Sequence, residues 1–189
     1  YPQPKERITR YIEALKISRE ILKKQRCHFD GEFYKISLER ALNSPLYGSP
    51  PLVGSAGGPR ALKEVSSLVD RVEINSTARA TRGGKIDLEI MATIDEDEIK
   101  AQIDLVKNVR PDIPVSMFLL VAVGEGKEVT KIKNSLRGGY LGNFMGPPEK
   151  VTENLASLEL LGIERIQLTE FFPGSHNLLS ERLIGMNFN

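Results

Sequence analysis

The chain has 189 residues, 40% apolar and 27% charged, which suits one ordinary globular domain over 1–189 and excludes a disordered polymer. Its 26 basic and 25 acidic residues leave a net charge of +1 without a basic stripe, so no nucleic-acid surface is expected. Cys27 is the sole cysteine, no apolar run reaches the roughly 18 residues that span a bilayer, and no signal pattern is present; these predict a cytoplasmic protein without disulfide or membrane span.

Tyr1 leads almost directly into a helix, so the sequence reads as the middle of a longer polypeptide. Ile8, Tyr11, Ile12, Leu15 and Leu22, with Lys and Arg between them, give residues 4–25 a helical period with one wet face. In CHFDGEFYKI, Phe29, Phe33 and Tyr34 surround Asp30-Gly31, which reads as a short hairpin turn. A proline- and serine-bearing loop over 43–51 leads to a strand at 52–55 and a helix at 59–69. Pro59 suits the first helical turn, where no N–H is needed. DRVEIN (70–75) is the next strand, followed by a polar loop over 76–85.

Thr93 and Glu96 stand in capping-box spacing, and the acids of DEDE (95–98) crowd the start of a helix whose Ile99, Ile103 and Val106 share a face. That acidic run is a helix N-terminus rather than a metal cluster. VSMFLLVAV (115–123) is the continuous apolar run of a strand buried on both faces, with Met117 and Phe118 in the core. A helix over 126–137 ends at Gly138-Gly139. GPPEKVTENLASLELLG is another, with proline at its start, Gly162 past its end, and Val151, Leu155 and Leu158 on its buried stripe. IERIQLTEFF is the last strand and 178–184 a closing helix. The alternation predicts a parallel α/β protein, either doubly wound or a (β/α)8 barrel; about four strands are visible, half of what a barrel needs.

The stretch PPLVGSAGGPRALKEV sets Gly54, Gly57 and Gly58 where a strand hands over to a helix. Ligands of α/β folds sit beyond the carboxyl ends of parallel strands, and anions sit at helix N-termini. Gly57 and Gly58 would let a phosphate reach the main chain, Ser55 could add a hydroxyl donor, and Arg60 a charge. The competing reading is a tight turn whose glycines serve geometry alone, since the pattern is neither a P-loop nor G-x-G-x-x-G. His28 and His176 are the only histidines and show no metal-ligand spacing, so no metal is expected. His28, next to Cys27 near the hairpin, reads as a surface residue, and Cys27 as a nucleophile would need a base and an electropositive site. His176 follows the last strand and could face a barrel mouth. Glu170 and Asn75 close two strands where barrel chemistry is placed, or else they cap the loops that follow. No pattern identifies a catalytic residue.

Three segments in order carry a resemblance. Phe29, Gly31 and Tyr34 match an F-x-G-x-x-Y segment, Gly57-Gly58-Pro59-Arg60-Ala61-Leu62 matches a small-residue turn of the type G-x-P-x-A-L, and Gly146-Pro147-Pro148-Glu149-Lys150-Val151 matches a G-x-P-E-x-V helix start. Together they resemble the bacterial-luciferase-like family of flavin- and deazaflavin-dependent oxidoreductases over most of the chain, missing chiefly 76–140. The resemblance implies an α/β chain forming roughly the C-terminal half of a (β/α)8 TIM-type barrel. It implies FMN or a deazaflavin coenzyme held by its phosphate at the turn, with main-chain donors at Ala56, Gly57 and Gly58, the helix start at Arg60, and Ser55 and Asn75 nearby. Implied too are a small-molecule substrate and oxidoreductase or monooxygenase activity, with a methylenetetrahydromethanopterin-reductase-like enzyme as a narrower form. The alternatives are a non-catalytic flavoprotein or partner subunit of the same fold, and an unrelated domain binding sugar phosphates. Glycines stand where some family members offer Ser or Thr, and Arg71 stands where many have an Asp-Gly pair. Half a barrel would expose strand edges, so a homo-oligomer, or pairing with the missing N-terminal half, is expected.

Overall fold

The computed structural model describes residues 2–40, 48–82 and 84–183. Proline at its first position starts helix α1 (Pro4–Lys24), which ends where Gln25 turns left-handed (φ 56°) and its N–H reaches the Ile21 carbonyl. Strands β1 (Cys27–Asp30) and β2 (Lys35–Leu38) then form the expected antiparallel hairpin. Most of the anticipated proline- and serine-bearing loop lies outside the described residues.

Strand β3 (Val53–Ala56) opens the main sheet and feeds helix α2 (Pro59–Ser66); strand β4 (Arg71–Asn75) follows. A short helix α3 (Leu88–Ala92) precedes helix α4 (Glu96–Val109), strand β5 (Val115–Val123) and helix α5 (Lys127–Ser135). A 3-10 turn (Tyr140–Phe144) leads to the two-residue strand β6 (Met145–Gly146), then helix α6 (Pro148–Ser157), strand β7 (Arg165–Glu170) and helix α7 (Ser175–Leu183). Strands β3, β4, β5 and β7 lie side by side in that order, all parallel, and β6 pairs with the end of β5. Four adjacent parallel strands with intervening helices are part of a barrel sheet, the α/β architecture expected.

Much of the core sits on the helix side of this sheet, while β5 is buried on both faces, with Leu120 and Ala122 enclosed on the other. Val72, Ile74, Met117 and Leu119 are buried on the helix side with Leu62, Val65, Ile99 and Val106 from α2 and α4. Each such side chain contributes about 1.5–3 kcal/mol, which outweighs any helix propensity in deciding where these segments go. Because strand residues alternate, the register places Ser55, Glu73, Ser116 and Arg165 in one row across β3, β4, β5 and β7, on the opposite face. That face also carries Phe118, which is half-buried, so of the two anticipated core residues only Met117 is fully enclosed. Among the described residues, no helix is long and apolar enough to cross a membrane.

Several boundaries differ for local chemical reasons. The N-cap of α4 is Asp95, whose carboxylate accepts from Glu98 N at 2.8 Å, and not Thr93. Thr93 closes α3 instead, its hydroxyl donating to the Ile90 carbonyl at 2.8 Å. That helix was unforeseen; Asp87 starts it by accepting from the amides of Glu89 and Ile90. Helix α2 stops three residues early, at Ser66, where the Arg110 guanidinium of α4's far end takes the carbonyls of Ser66 and Val69. Helix α7 begins at Ser175 rather than Leu178, because the buried Ser175 hydroxyl bridges the Phe172 carbonyl and the Val123 amide. Ile184 lies outside the described residues. Arg71 has a structural role: it reaches the Val115 carbonyl (3.4 Å) and Glu164 (3.6 Å), tying the start of β4 across β5 to the start of β7.

Candidate functional site

The glycine turn stands at the carboxyl end of β3, where the sheet passes the chain to α2. Three glycines there meet three different surroundings. A Cβ on Gly54 would strike Val65 and Val69, so that glycine lets α2 close on the sheet. A Cβ on Gly57 would fall on Ala78 and 2.8 Å from the Asn75 carbonyl, so that one lets the loop after β4 pass close by. Gly58 meets nothing within 4 Å. It is the N-cap of α2 with ordinary extended angles (φ −92°, ψ 148°), and its side faces open space.

The amides of Gly58, Arg60 and Ala61 find no acceptor among the described residues, and Pro59 has none to offer. A helix start of this kind presents partial positive charge to an anion. Beside it lies a cavity of about 260 Å³ lined by Gly57, Gly58, Asn75, Arg79, Arg82 and Gln102, among others. The Gln102 side chain closes its floor, donating from Nε2 to the Gly57 carbonyl at 3.0 Å, while its Oε1 is occluded and unpartnered. Arg79 is committed to Glu98 at 2.8 Å and to the Thr93 carbonyl. An anion fits this donor set, but not a whole flavin: a cavity of that size is below the roughly 300–1,000 Å³ of sites that enclose complete small molecules.

The structure thus brings Gly57, Gly58 and Asn75 together and leaves the other expected residues elsewhere. Ala56 is buried against the helix layer. Ser55 points to the opposite face, and its amide donates to the Tyr11 hydroxyl at 2.9 Å. Burial, and secondarily the nearby Glu73 carboxylate, push that phenol's pKa up, against the Ser55 amide, which lowers it. Arg60 pairs with Glu64 at 2.7 Å along α2. Asn75 caps its own loop, its Oδ1 accepting from the amide and hydroxyl of Thr77, both at 3.1 Å. Glu170 likewise caps α7 by accepting from His176 N at 2.7 Å, with the imidazole Nδ1 at 3.7 Å. His28 is at the hairpin surface beside Ser37 and Glu39, and Cys27 is buried.

Sequence reasoning missed Arg79, Arg82, Glu98 and Gln102 at this cavity. The signal available was weak: Gln102 is the polar residue directly before Ile103 on the buried stripe of α4, a place where an amide needs a partner. A larger hollow of about 570 Å³ lies away from the turn, between α6 and β7, lined by Leu155, Ile163, Ile166, Leu168 and Leu183 with Glu159 and Arg165.

No protein-family model matches the chain, and no curated protein matches it. Solved structures do. An F420-dependent secondary alcohol dehydrogenase in complex with an F420-acetone adduct superposes with a TM-score of 0.65 at 13% identity, over 95% of this chain and 61% of that one. The coenzyme F420-dependent tetrahydromethanopterin reductase from Methanopyrus kandleri gives 0.54 at 14%, over 91% and 60%. The EDTA monooxygenase from Chelativorans sp. BNC1 gives 0.59 at 10%, over 97% and 59%. At these identities the likeness is one of fold, and in fold the resemblance to the luciferase-like oxidoreductases holds. The chain spans about three fifths of the length of these structures.

Proposed function

We propose that this chain is the cofactor-phosphate half of a luciferase-like oxidoreductase, holding FMN or a deazaflavin coenzyme by its phosphate at the Gly57–Gly58 turn. One observation carries the reading: an unobstructed helix start at Gly58, with free amides at 58, 60 and 61, beside a cavity at the carboxyl ends of β3 and β4. Two of the matched structures are described as F420-dependent, which supports a deazaflavin as one of the two candidates. A bound flavin or deazaflavin supplies the redox chemistry. The chain's own part is to receive the anion on main-chain donors, to fix the turn through Gln102, and to shield one side of the phosphate from water. Titration of the 189-residue chain with FMN and with F420, followed by absorbance and fluorescence, is expected to give saturable binding of at least one. A flat response to both overturns the proposal. Binding without substrate-dependent turnover would identify the non-catalytic form, for which the small cavity speaks.

The same reading requires a cover for the sheet. Among the described residues β7 pairs only with β5, and the hollow at its flank is lined mainly by apolar side chains. About two fifths of each matched chain has no counterpart here, enough for several βα units of roughly 30 residues. We infer that the occupant of this edge is a complementary βα polypeptide rather than a second copy. At the β3 edge, where a second copy's β7 would have to dock to close the sheet, the Ser55 amide is already occupied by Tyr11. Sedimentation velocity on the chain alone is expected to show concentration-dependent association without fixed stoichiometry, relieved by Leu168→Lys. A discrete, soluble monomer or a stable dimer at high concentration counts against it.

A further inference from the structure

Strand β3 forms the other edge of the sheet: among the described residues it pairs with β4 alone. Its main chain alternates in direction. Leu52 turns toward β4, its carbonyl accepting from the amides of Asp70 and Arg71 and its own amide donating to the Asp70 carboxylate at 2.8 Å. Gly54 and Ala56 share that direction, so the amides and carbonyls of Val53 and Ser55 face away from the sheet. An outward row of this kind is a template on which another strand can pair. The Ser55 amide, on a residue that is itself exposed, donates instead to the Tyr11 hydroxyl at 2.9 Å. The packing of α1 holds Tyr11 in that place. Its neighbours Ile12 and Leu15 are buried in the core. Arg19 donates to the Ser67 carbonyl at the end of α2 (3.0 Å), and Lys23 lies 3.8 Å from Asp70, just before β4.

We propose that Tyr11 closes the β3 edge against strand addition, its hydroxyl standing where the carbonyl of an added strand would accept from Ser55. This contact keeps copies of the chain from pairing through β3. A strand that pairs here has to displace the phenol first. One neutral hydrogen bond is a modest barrier, so it turns away a chance encounter and yields to a strand that offers a whole ladder of bonds.

The test is made in the Leu168→Lys chain, so that association through β7 is not counted. Tyr11→Phe removes the hydroxyl and keeps the ring. Adding Ser55→Pro removes the amide as well, at an outward position where proline breaks no ladder bond to β4. Sedimentation velocity is expected to show Tyr11→Phe associating at about 3–10-fold lower concentration than its parent, and Tyr11→Phe/Ser55→Pro returning to the parent's behaviour. Exchange of the Ser55 amide with solvent, followed by NMR, should be about 3–10-fold faster in Tyr11→Phe. The proposal is overturned if Tyr11→Phe associates no more than its parent, or if the Ser55 amide exchanges at an unchanged rate. It is overturned too if Ser55→Pro leaves the added association in place, the result expected when loss of fold is the cause. Persistent association of Leu168→Lys itself counts against the β7 inference and leaves the comparison of the Tyr11 variants with their parent standing.

Discussion

Replacing Glu13 by Ala is expected to lower the melting temperature by roughly 5–10 °C, a large loss for a polar side chain on a surface helix. Glu13 is only 7% exposed although it is a carboxylate on a surface helix. Its oxygens accept from the amides of Glu32 (2.7 Å), Phe33 (3.0 Å) and Tyr34 (3.0 Å), so it closes the turn of the β1–β2 hairpin from below. A Cβ on Gly31 would lie 2.6 Å from that carboxylate and 2.5 Å from the Phe29 ring. The F-x-G-x-x-Y segment is thus a carboxylate cradle: Phe29 walls it, Gly31 makes room, and residues 32–34 supply the donors. Arg10 stacks on the Phe33 ring at 4.2 Å and finishes the contact. Removing the carboxylate leaves three amides without their acceptor, which costs more than losing one ordinary hydrogen bond.

The same group gives the protein an acid-sensitive joint. Burial pushes the Glu13 pKa up, but the three amides, helped by Lys16, outweigh it and hold the carboxylate below its ordinary value of 4.5. A carboxylate with a depressed folded pKa stabilises above its unfolded pKa and loses that contribution as pH falls through the folded one. Melting curves between pH 7 and pH 3 should therefore show a wild-type decline below about pH 4.5 that is smaller in Glu13→Gln. Equal slopes, or an alanine variant melting within a degree or two of wild type, would remove Glu13 from this role.

How much of this was legible in the sequence depends on the range of the forces involved. The α4 and α6 stripes and the nine-residue β5 run follow from local periodicity, and they appear where the pattern puts them. The Glu13 cradle was not legible, because its donors lie about 20 positions away and nothing local distinguishes Glu13 from Glu20. Capping failed for a narrower reason. Thr93-x-x-Glu96 and Asp95-x-x-Glu98 have the same spacing, and only the closure of α3 onto Thr93 decides between them. At the site, the glycines were visible but their division of labour was not. Gly57 is explained by Ala78, a contact set by the loop after β4, and only Gly58 remains for a ligand.

That division makes the pair Gly57→Ala and Gly58→Ala the sharpest test of the turn. At position 57 the added methyl meets Ala78 and the Asn75 carbonyl, neither of which can swing aside like the end of a long side chain. Overpacking of this kind costs about 1–3 kcal/mol, against a gain of only about 0.4–1 kcal/mol from stiffening the unfolded chain. The net result is a less stable protein that loses ligand because the turn itself moves. At position 58 the methyl enters open space, and φ −92° is comfortable for alanine. Loss of the glycine N-cap costs about 0.5–1 kcal/mol at most. Yet that methyl would stand where the anion approaches the free amides, so FMN or F420 affinity should fall at least about tenfold in a folded protein. Arg60→Ala is the control: its guanidinium is held by Glu64, an exposed pair worth about 0–1 kcal/mol, so binding should change little. If Gly58→Ala binds like wild type while Arg60→Ala does not, the anion is held by a side chain and the main-chain cradle is the wrong account of the site.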